Sequence, residues 1–363
     1  MNFTALPVNV GDSFLLHCNE KYILVDGGMN KNHIITLLNK ERIPDRHIHY
    51  LICTHYDIDH ANGIIGILKS GKYTFDELWL PEIFGSIGYT ISEKLEDILV
   101  FWRKNYHKID ELLELLNEDI TNLEINNHAE LQVNSFEKLN SKVLENILLN
   151  FTNRYLRYFC IYYFFGPTSI NLKMINSFYK ICLLLTNALH SSAYIRWFKY
   201  MDSLQHSRCP NSLYAENAVE TAITIYSPEI FMKMLWLTTI NKHSLVFLFE
   251  EDNSCFPNVL FTADSDLHFY SQQKILKDFS IVTAPHHGSE SNSLAYSKID
   301  GNNLIFVRSD RSQLRRPGPS YLKQAKRYCT ICRNRGPKQK IVIKFSNSGT
   351  PQIYGKPCNC HSL

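Results

Sequence analysis

Thr54-His55-Tyr56-Asp57-Ile58-Asp59-His60-Ala61-Asn62-Gly63 is the stretch on which the reading of this chain turns. His55, Asp57, Asp59 and His60 put four potential metal ligands into six consecutive residues. They stand directly after His49–Thr54, a short run in which Leu51, Ile52 and Cys53 predict a buried strand. A buried strand end cannot hold clustered carboxylates without cations, because desolvated like charges repel one another. Imidazole and carboxylate together suit Zn²⁺, Mn²⁺ or Fe²⁺.

Two further strand ends carry the same chemistry. Val259–Phe261 runs into Thr262-Ala263-Asp264, where a carboxylate could bridge two metals. Ile281–Ala284 runs into Pro285-His286-His287-Gly288-Ser289. Neighbouring histidines on a strand point opposite ways, so one of the pair is expected to bind metal and the other to face substrate. Upstream, Phe14–Cys18 and Tyr22–Val25 predict a hairpin with Asn19 and Glu20 at its turn, leading into Asp26-Gly27-Gly28. Asn32–Glu41 and Gly63–Ser70 read as helices.

In this order the HxDxDHxxG, strand-Asp and HHGS motifs resemble the metallo-β-lactamase superfamily. Val10-Gly11-Asp12-Ser13 and Ile23–Gly28 resemble that family's opening hairpin and first aspartate motif. Within it, Asp57 in place of a second histidine, the Asn241–Phe249 stretch and His286-His287-Gly288-Ser289 resemble the ComEC-type hydrolase domain and its free-standing relatives. The resemblance implies an α/β fold, an αββα sandwich with a helical insertion. It implies one metal held by His55, Asp57 and Asp264, and another by Asp59, His60, Asp264 and one of His286 or His287. Asp26 would hold the ligand loop by hydrogen bonds. Catalytic roles would fall to Asp59, His286 and His287. Two departures, Ile225-Tyr226-Ser227-Pro228 without a histidine and Arg316-Pro317-Gly318-Pro319 in place of a histidine-proline motif, leave one metal position poorer in ligands.

The 363 residues divide by character. Residues 1–90 and 216–345 are β-rich and form the two halves of one domain, 91–215 are a helical insertion, and 346–363 are a cysteine-containing tail. In the insertion, Glu93–Asn117, Glu137–Phe164 and Ile170–His190 carry apolar residues at helical spacing. The insertion is expected to pack on the core or to offer a lid or a protein-binding surface. Its aromatics, Trp102, Trp197, Phe198 and Tyr200, are expected to pack rather than to stack on bases. No run approaches the ~20 apolar residues a membrane span needs, and residues 1–8 lack a secretory pattern. A soluble, cytoplasmic protein without a membrane partner is the expectation.

Net charge is only +3, but Arg308, Arg311, Arg315, Arg316, Lys323, Lys326, Arg327, Arg333, Arg335, Lys338, Lys340 and Lys344 share the 308–344 stretch with one acidic residue, Asp310. That suits nucleic acid, with phosphate contacts supplying affinity. The expected activity is therefore that of a phosphodiesterase or nuclease with one or two divalent ions, Zn or Mn, and the resemblance leaves room for a role in anti-phage defence. The alternatives are a hydrolase of a small ester, lactone or thioester, and a degenerate site that binds without catalysis. Finally, Cys329-Thr330-Ile331-Cys332 and Cys358-Asn359-Cys360-His361 together offer ligands for an additional structural zinc.

Overall fold

The computed structural model describes residues 1–89, 131–133, 172–225, 243–251, 256–311, 316–332, 337–346 and 349–360. The helices expected over Glu93–Asn117 and Glu137–Phe164, with Trp102, lie outside the described residues, as do Asn241, Arg315, Arg333, Arg335 and His361. The chain divides into two compact units. One comprises Met1–Pro81, Ser191–Glu220 and Asn241–Leu363; the other comprises Glu82–His190 and Thr221–Ile240.

The first unit is built on two large sheets. Numbered along the chain, one sheet runs β10 (Ala218–Glu220), β7 (Tyr194–Tyr200), β5 (Thr74–Pro81), β4 (His47–Ile52), β3 (Lys21–Val25), β2 (Phe14–Cys18), β1 (Asn2–Ala5), β19 (Ile341–Phe345), β20 (Pro351–Tyr354). The other runs β18 (Lys326–Ile331), β17 (Ile305–Arg311), β15 (Ile281–Thr283), β13 (Val259–Phe261), β12 (Phe247–Phe249), β9 (Leu213–Ala215), β8 (Ser207–Arg208). A short parallel pair, β14 (Lys274–Ile275) and β16 (Ile299–Asp300), stands beside them. The second unit contains β6 (Leu131–Val133) paired with β11 (Ile223–Ile225), and a helix over Leu172–His190.

Side chains alternate across a strand, and here both faces of each sheet are used. Phe14, Leu16, Ile23, Val25, Tyr50, Ile52 and Trp79 of the first sheet share one buried core with Phe247, Phe249, Val259, Phe261, Ile281, Ile305 and Val307 of the second. The intervening residues Leu248, Leu260, Val282 and Phe306 point the other way, into a second core with Tyr270, Ala295 and Tyr321. That is why these strands read as short continuous apolar runs rather than as polar–apolar alternation. Helices α1 (Lys31–Lys40) and α2 (Ile58–Ser70) bury Ile34, Leu37 and Leu38, and Ile64, Ile65 and Ile67. The result is a two-sheet α/β sandwich.

The hairpin turn falls where the sequence places it. Asn19 and Glu20 both have positive φ, 48° and 62°, the pairing that a twisted two-residue hairpin requires. Tyr194–Tyr200, inside the stretch expected to be a helical insertion, is instead a strand of the first sheet. Its Trp197 and Phe198 are buried. No described helix is long and apolar enough to cross a membrane.

Candidate metal centre

The side chains singled out from the sequence leave the same ends of the strands. Asp26 follows β3, His55 follows β4, Asp264 follows β13, and His286 and His287 follow β15. β3 and β4 are parallel, as are β13, β15 and β17, so their carboxyl ends lie side by side. Crevices at the carboxyl ends of parallel strands are the usual binding places of α/β sheets.

The helix expected from Gly63 begins earlier, at Ile58, so Asp59 and His60 stand on its first turn and Asp57 is its N-cap. Asp57 makes no side-chain capping bond; its carboxylate lies instead within 4.8 Å of ligand atoms of His55 and Asp264. The turn is pressed against two loops. A Cβ on Gly63 would stand 1.9 Å from the carbonyl oxygen of Gly27, and one on Gly11 would stand 1.6 Å from that of Asp59. Only glycine permits these approaches. Through them Gly27 N donates to His60 O, Gly63 N to Gly28 O and Asp12 N to Asp59 O.

A hydrogen-bond chain fixes the imidazoles. Asp26, 1% exposed, accepts from Thr54 N at 2.9 Å, from Thr54 Oγ1 at 2.8 Å and from His60 Nδ1 at 2.8 Å. With its proton committed to Asp26, the Thr54 oxygen accepts from His55 Nδ1 at 3.0 Å. Both histidines therefore direct Nδ1 outward to these partners and turn Nε2 toward the centre, the orientation that such partners impose on ligating histidines. His287 Nδ1 faces Asp12 Oδ1 at 3.0 Å.

At the centre, His60 Nε2 and His287 Nε2 are 3.1 Å apart, and Asp264 Oδ1 lies 3.2 Å from the former and 3.4 Å from the latter. Asp59 Oδ2 is 3.3 Å from His287 Nε2. A tetrahedral ion with ligands at ~2.0–2.1 Å separates them by about 3.3–3.4 Å, so His60 Nε2, His287 Nε2 and Asp264 Oδ1 are spaced to hold one, and Asp59 reaches this group through His287. Asp12 belongs to the same cluster by distance, and its Oδ1 faces the far nitrogen of His287 rather than the Nε2 that the other atoms surround. On its other side Asp264 turns Oδ2 toward His55 Nε2 at 3.8 Å and His286 Nε2 at 3.4 Å. His55 and Asp57 form with Asp264 a second group around the same carboxylate, and His286 stands beside it.

The residues fit a divalent cation on a specific observation. His55 Nε2 and Asp264 Oδ1 are buried acceptors without a hydrogen-bond partner, an expensive state unless a cation is supplied. The electrostatics agree. Burial opposes charge on His60, but Asp26 and Asp264 outweigh it and hold its pKa well above the ordinary value. For His287, Asp12 and Asp264 outweigh burial in the same way. Burial and the neighbouring His60 lower His55 to about 3, against the pull of Asp264, so this ring is neutral. The site calls for positive charge between His60, His287 and Asp264.

The HHGS segment departs from expectation. β15 ends at Thr283, and the histidines lie in a tight turn with φ of 46° and 53°. They do not point to opposite faces of a strand. Backbone in this region costs about 1–3 kcal/mol per residue and clusters at functional sites. His287 is fully buried among the ligand atoms, while His286 retains 15% side-chain exposure. His286 Nδ1 donates to Asn292 Oδ1 at 3.0 Å, and its Nε2 accepts from Arg316 Nη2 at 2.9 Å.

The basic stretch is less of a surface than its composition suggests. Arg308 is fully buried, donating to Cys329 Sγ, Arg311 O and Ile331 O. Lys340 pairs with Glu41 at 2.9 Å. Within the stretch, Arg316 reaches a candidate ligand, its Nη2 standing 2.9 Å from His286 Nε2. Asp12 and Arg316 are the functional candidates that the sequence patterns did not assign. Asp12 had one signal, its place after Gly11 in the opening motif; Arg316 had two, its place in the basic stretch and its place where a histidine-proline motif is expected.

A search of curated proteins finds no match to this chain. Residues 6–75, which contain Asp12, Asp26 and the whole His55–His60 motif, match the family model described as the metallo-beta-lactamase superfamily.

Proposed function

We propose that the protein is a metal-dependent hydrolase that cleaves phosphodiesters in nucleic acid. The observation that carries the phosphodiester reading is Arg316, whose guanidinium stands on His286 beside the Asp264 carboxylate, at the more exposed side of the centre. A planar, permanently charged fork at that place suits a phosphate oxygen pair.

Under this reading His60, His287, Asp264 and Asp59 hold one divalent ion, and His55, Asp57 and Asp264 hold a second. Bound there, such ions supply Lewis acidity toward a phosphoryl oxygen and a water acidic enough to ionise near neutral pH. Asp26 and Asp12 keep the lone pairs of His60 and His287 turned inward. With the position between His60, His287 and Asp264 unfilled, Asp59, whose side chain is 19% exposed, would instead be the carboxylate placed to take a proton. His286 is neutral: burial lowers its pKa, Asp264 opposes that, and His287 and Arg316 add to it. Its proton rests on Nδ1 toward Asn292. Arg316 binds and orients the anionic group. The anti-phage role that the resemblance suggests rests on that resemblance alone.

The test is cleavage of labelled single- and double-stranded DNA with Mn²⁺, Mg²⁺ or Zn²⁺, beside an Asp59→Ala/His60→Ala protein and an Arg316→Ala protein. Cleavage should vanish in the double variant. In Arg316→Ala, kcat/KM should fall by roughly 10- to 100-fold, the worth of one charge-assisted hydrogen bond of about 1.5–3 kcal/mol. Metal-dependent turnover of a carboxylic ester or lactone without DNA cleavage would replace this reading with that of a small-molecule hydrolase.

A further inference from the structure

We propose that Cys329, Cys332, Cys358 and Cys360 bind one structural zinc ion that ties the chain after β20 to β18 and props the HHGS turn from beneath. The four Sγ atoms lie within 4.8 Å of one another although the two pairs are separated in sequence by the whole of β19 and β20 and their connections. None of the four is in a disulfide. Four thiolates around zinc at ~2.3 Å are separated by about 3.8 Å, and these sulfurs converge to that scale, with Cys329 Sγ and Cys358 Sγ 3.2 Å apart. Cys329, Cys358 and Cys360 are buried and Cys332 is partly so.

The surroundings are built for thiolates rather than thiols. Arg308 Nε points at Cys329 Sγ at 3.4 Å, and Cys360 N donates to Cys358 Sγ at 3.4 Å. Four thiolates and Zn²⁺ carry a net charge of −2, which a buried guanidinium and backbone N–H groups offset. The backbone already brings the pairs together: Cys358 N donates to Arg327 O, and Tyr328 bridges to Pro357. Gln339 adds a clamp, giving its Nε2 to Cys329 O and Lys356 O and taking the Lys356 N–H. Four protein ligands leave no open position, so the ion is structural.

The link to the HHGS turn runs through two side chains. Tyr321 gives its hydroxyl to Tyr328 O at 2.8 Å and lies 3.5 Å from Cys329 Sγ. A Cβ on Gly288 would meet Arg308 Cδ, Pro317 and Tyr321, each at 3.4 Å, and Gly318 N donates to Gly288 O. Arg308 and Tyr321 thus fill the space between the cysteines and the turn that carries His286 and His287.

The experiment uses the full chain expressed with zinc or with cobalt. The expected result is one thiolate-bound ion per chain. It appears as sulfur-to-cobalt charge-transfer absorption, and it is released stoichiometrically when an organomercurial titrates four thiols. A Cys358→Ser/Cys360→Ser protein should lose the charge-transfer band. If that variant does not fold, the titration of the parent decides. Reaction of all four cysteines with a thiol reagent in the native protein without release of metal overturns the proposal, as does a mass shift showing them paired as disulfides. The His/Asp centre contains no sulfur ligand, so the charge-transfer band reads the cysteine site alone, and its absence leaves the hydrolase reading standing.

Discussion

Asp26→Asn alters one oxygen and preserves shape, so its consequences follow from the hydrogen bonds. Asp26 accepts from Thr54 N, Thr54 Oγ1 and His60 Nδ1. In the variant the amide oxygen keeps the Thr54 N–H, and the amide NH₂ replaces the oxygen that faced the hydroxyl and the imidazole. The hydroxyl can rotate; the imidazole can only move its proton from Nδ1 to Nε2. That proton would then point at His287 Nε2 and Asp264 Oδ1, where the lone pair is needed. The loss of such a ligand-orienting partner weakens metal binding by roughly 10- to 100-fold, or about 1.4–2.7 kcal/mol. The metal-free protein loses in addition one charge-assisted hydrogen bond, about 1.5–3 kcal/mol. Metal affinity is measured by chelator competition, stability by denaturant titration, and the His60 tautomer by nitrogen NMR. Unchanged affinity in a folded Asp26→Asn protein would refute the argument, and so would weakened affinity with His60 still protonated on Nδ1.

Other expectations are more local. Gly63→Ala drives a methyl to 1.9 Å from Gly27 O and should destabilise the fold by about 3 kcal/mol or more, above the usual overpacking range, as seen in the denaturation midpoint. Phe261→Ala, at the centre of the inter-sheet core beside Phe3 and Phe14, should cost about 3–5 kcal/mol with the denaturant slope unchanged. His268 is hydrogen-bonded to Asp266 on Nδ1 and to Asp202 on Nε2; burial opposes its charge, but the two carboxylates outweigh it and raise its pKa above 6.5. A raised histidine pKa stabilises fully below the unfolded value and loses that effect as pH climbs through the folded one. The stability difference between the parent and His268→Gln should therefore shrink as pH rises above about 6.5. Salt should shrink it too, since Asp202 is exposed.

Most of what the fold needs is written locally. The hairpin at Asn19-Glu20, the apolar runs of β12, β13, β15 and β17 and the ligand motifs at strand ends are short-range patterns, and they locate the centre. What escaped the sequence is set through space. The strand Tyr194–Tyr200 follows a helix and carries aromatics at spacings that fit either period; pairing with β5 decides it. The HHGS turn was expected as strand because Ile281–Ala284 leads into it. A close link, His286 N to Ala263 O, holds it in the left-handed region instead. Arg308 counts as a surface cation by composition, yet it lies against the Gly288 turn and gives its guanidinium to Cys329 Sγ, Arg311 O and Ile331 O, so its side chain is buried. Asp12 lies far in sequence from the histidine it faces, and no spacing rule joins Asp12 to His287.

Anomalous diffraction from crystals of the full chain loaded with Mn²⁺ tests the metal centre most directly. Manganese prefers oxygen and nitrogen ligands to thiolates, so it discriminates the centre from the cysteines. The account predicts a peak within direct-coordination distance of His60 Nε2, His287 Nε2 and Asp264 Oδ1, with Asp59 beside it and His286 outside its coordination sphere. Crystals that take up manganese elsewhere while this cluster stays without a peak would contradict it.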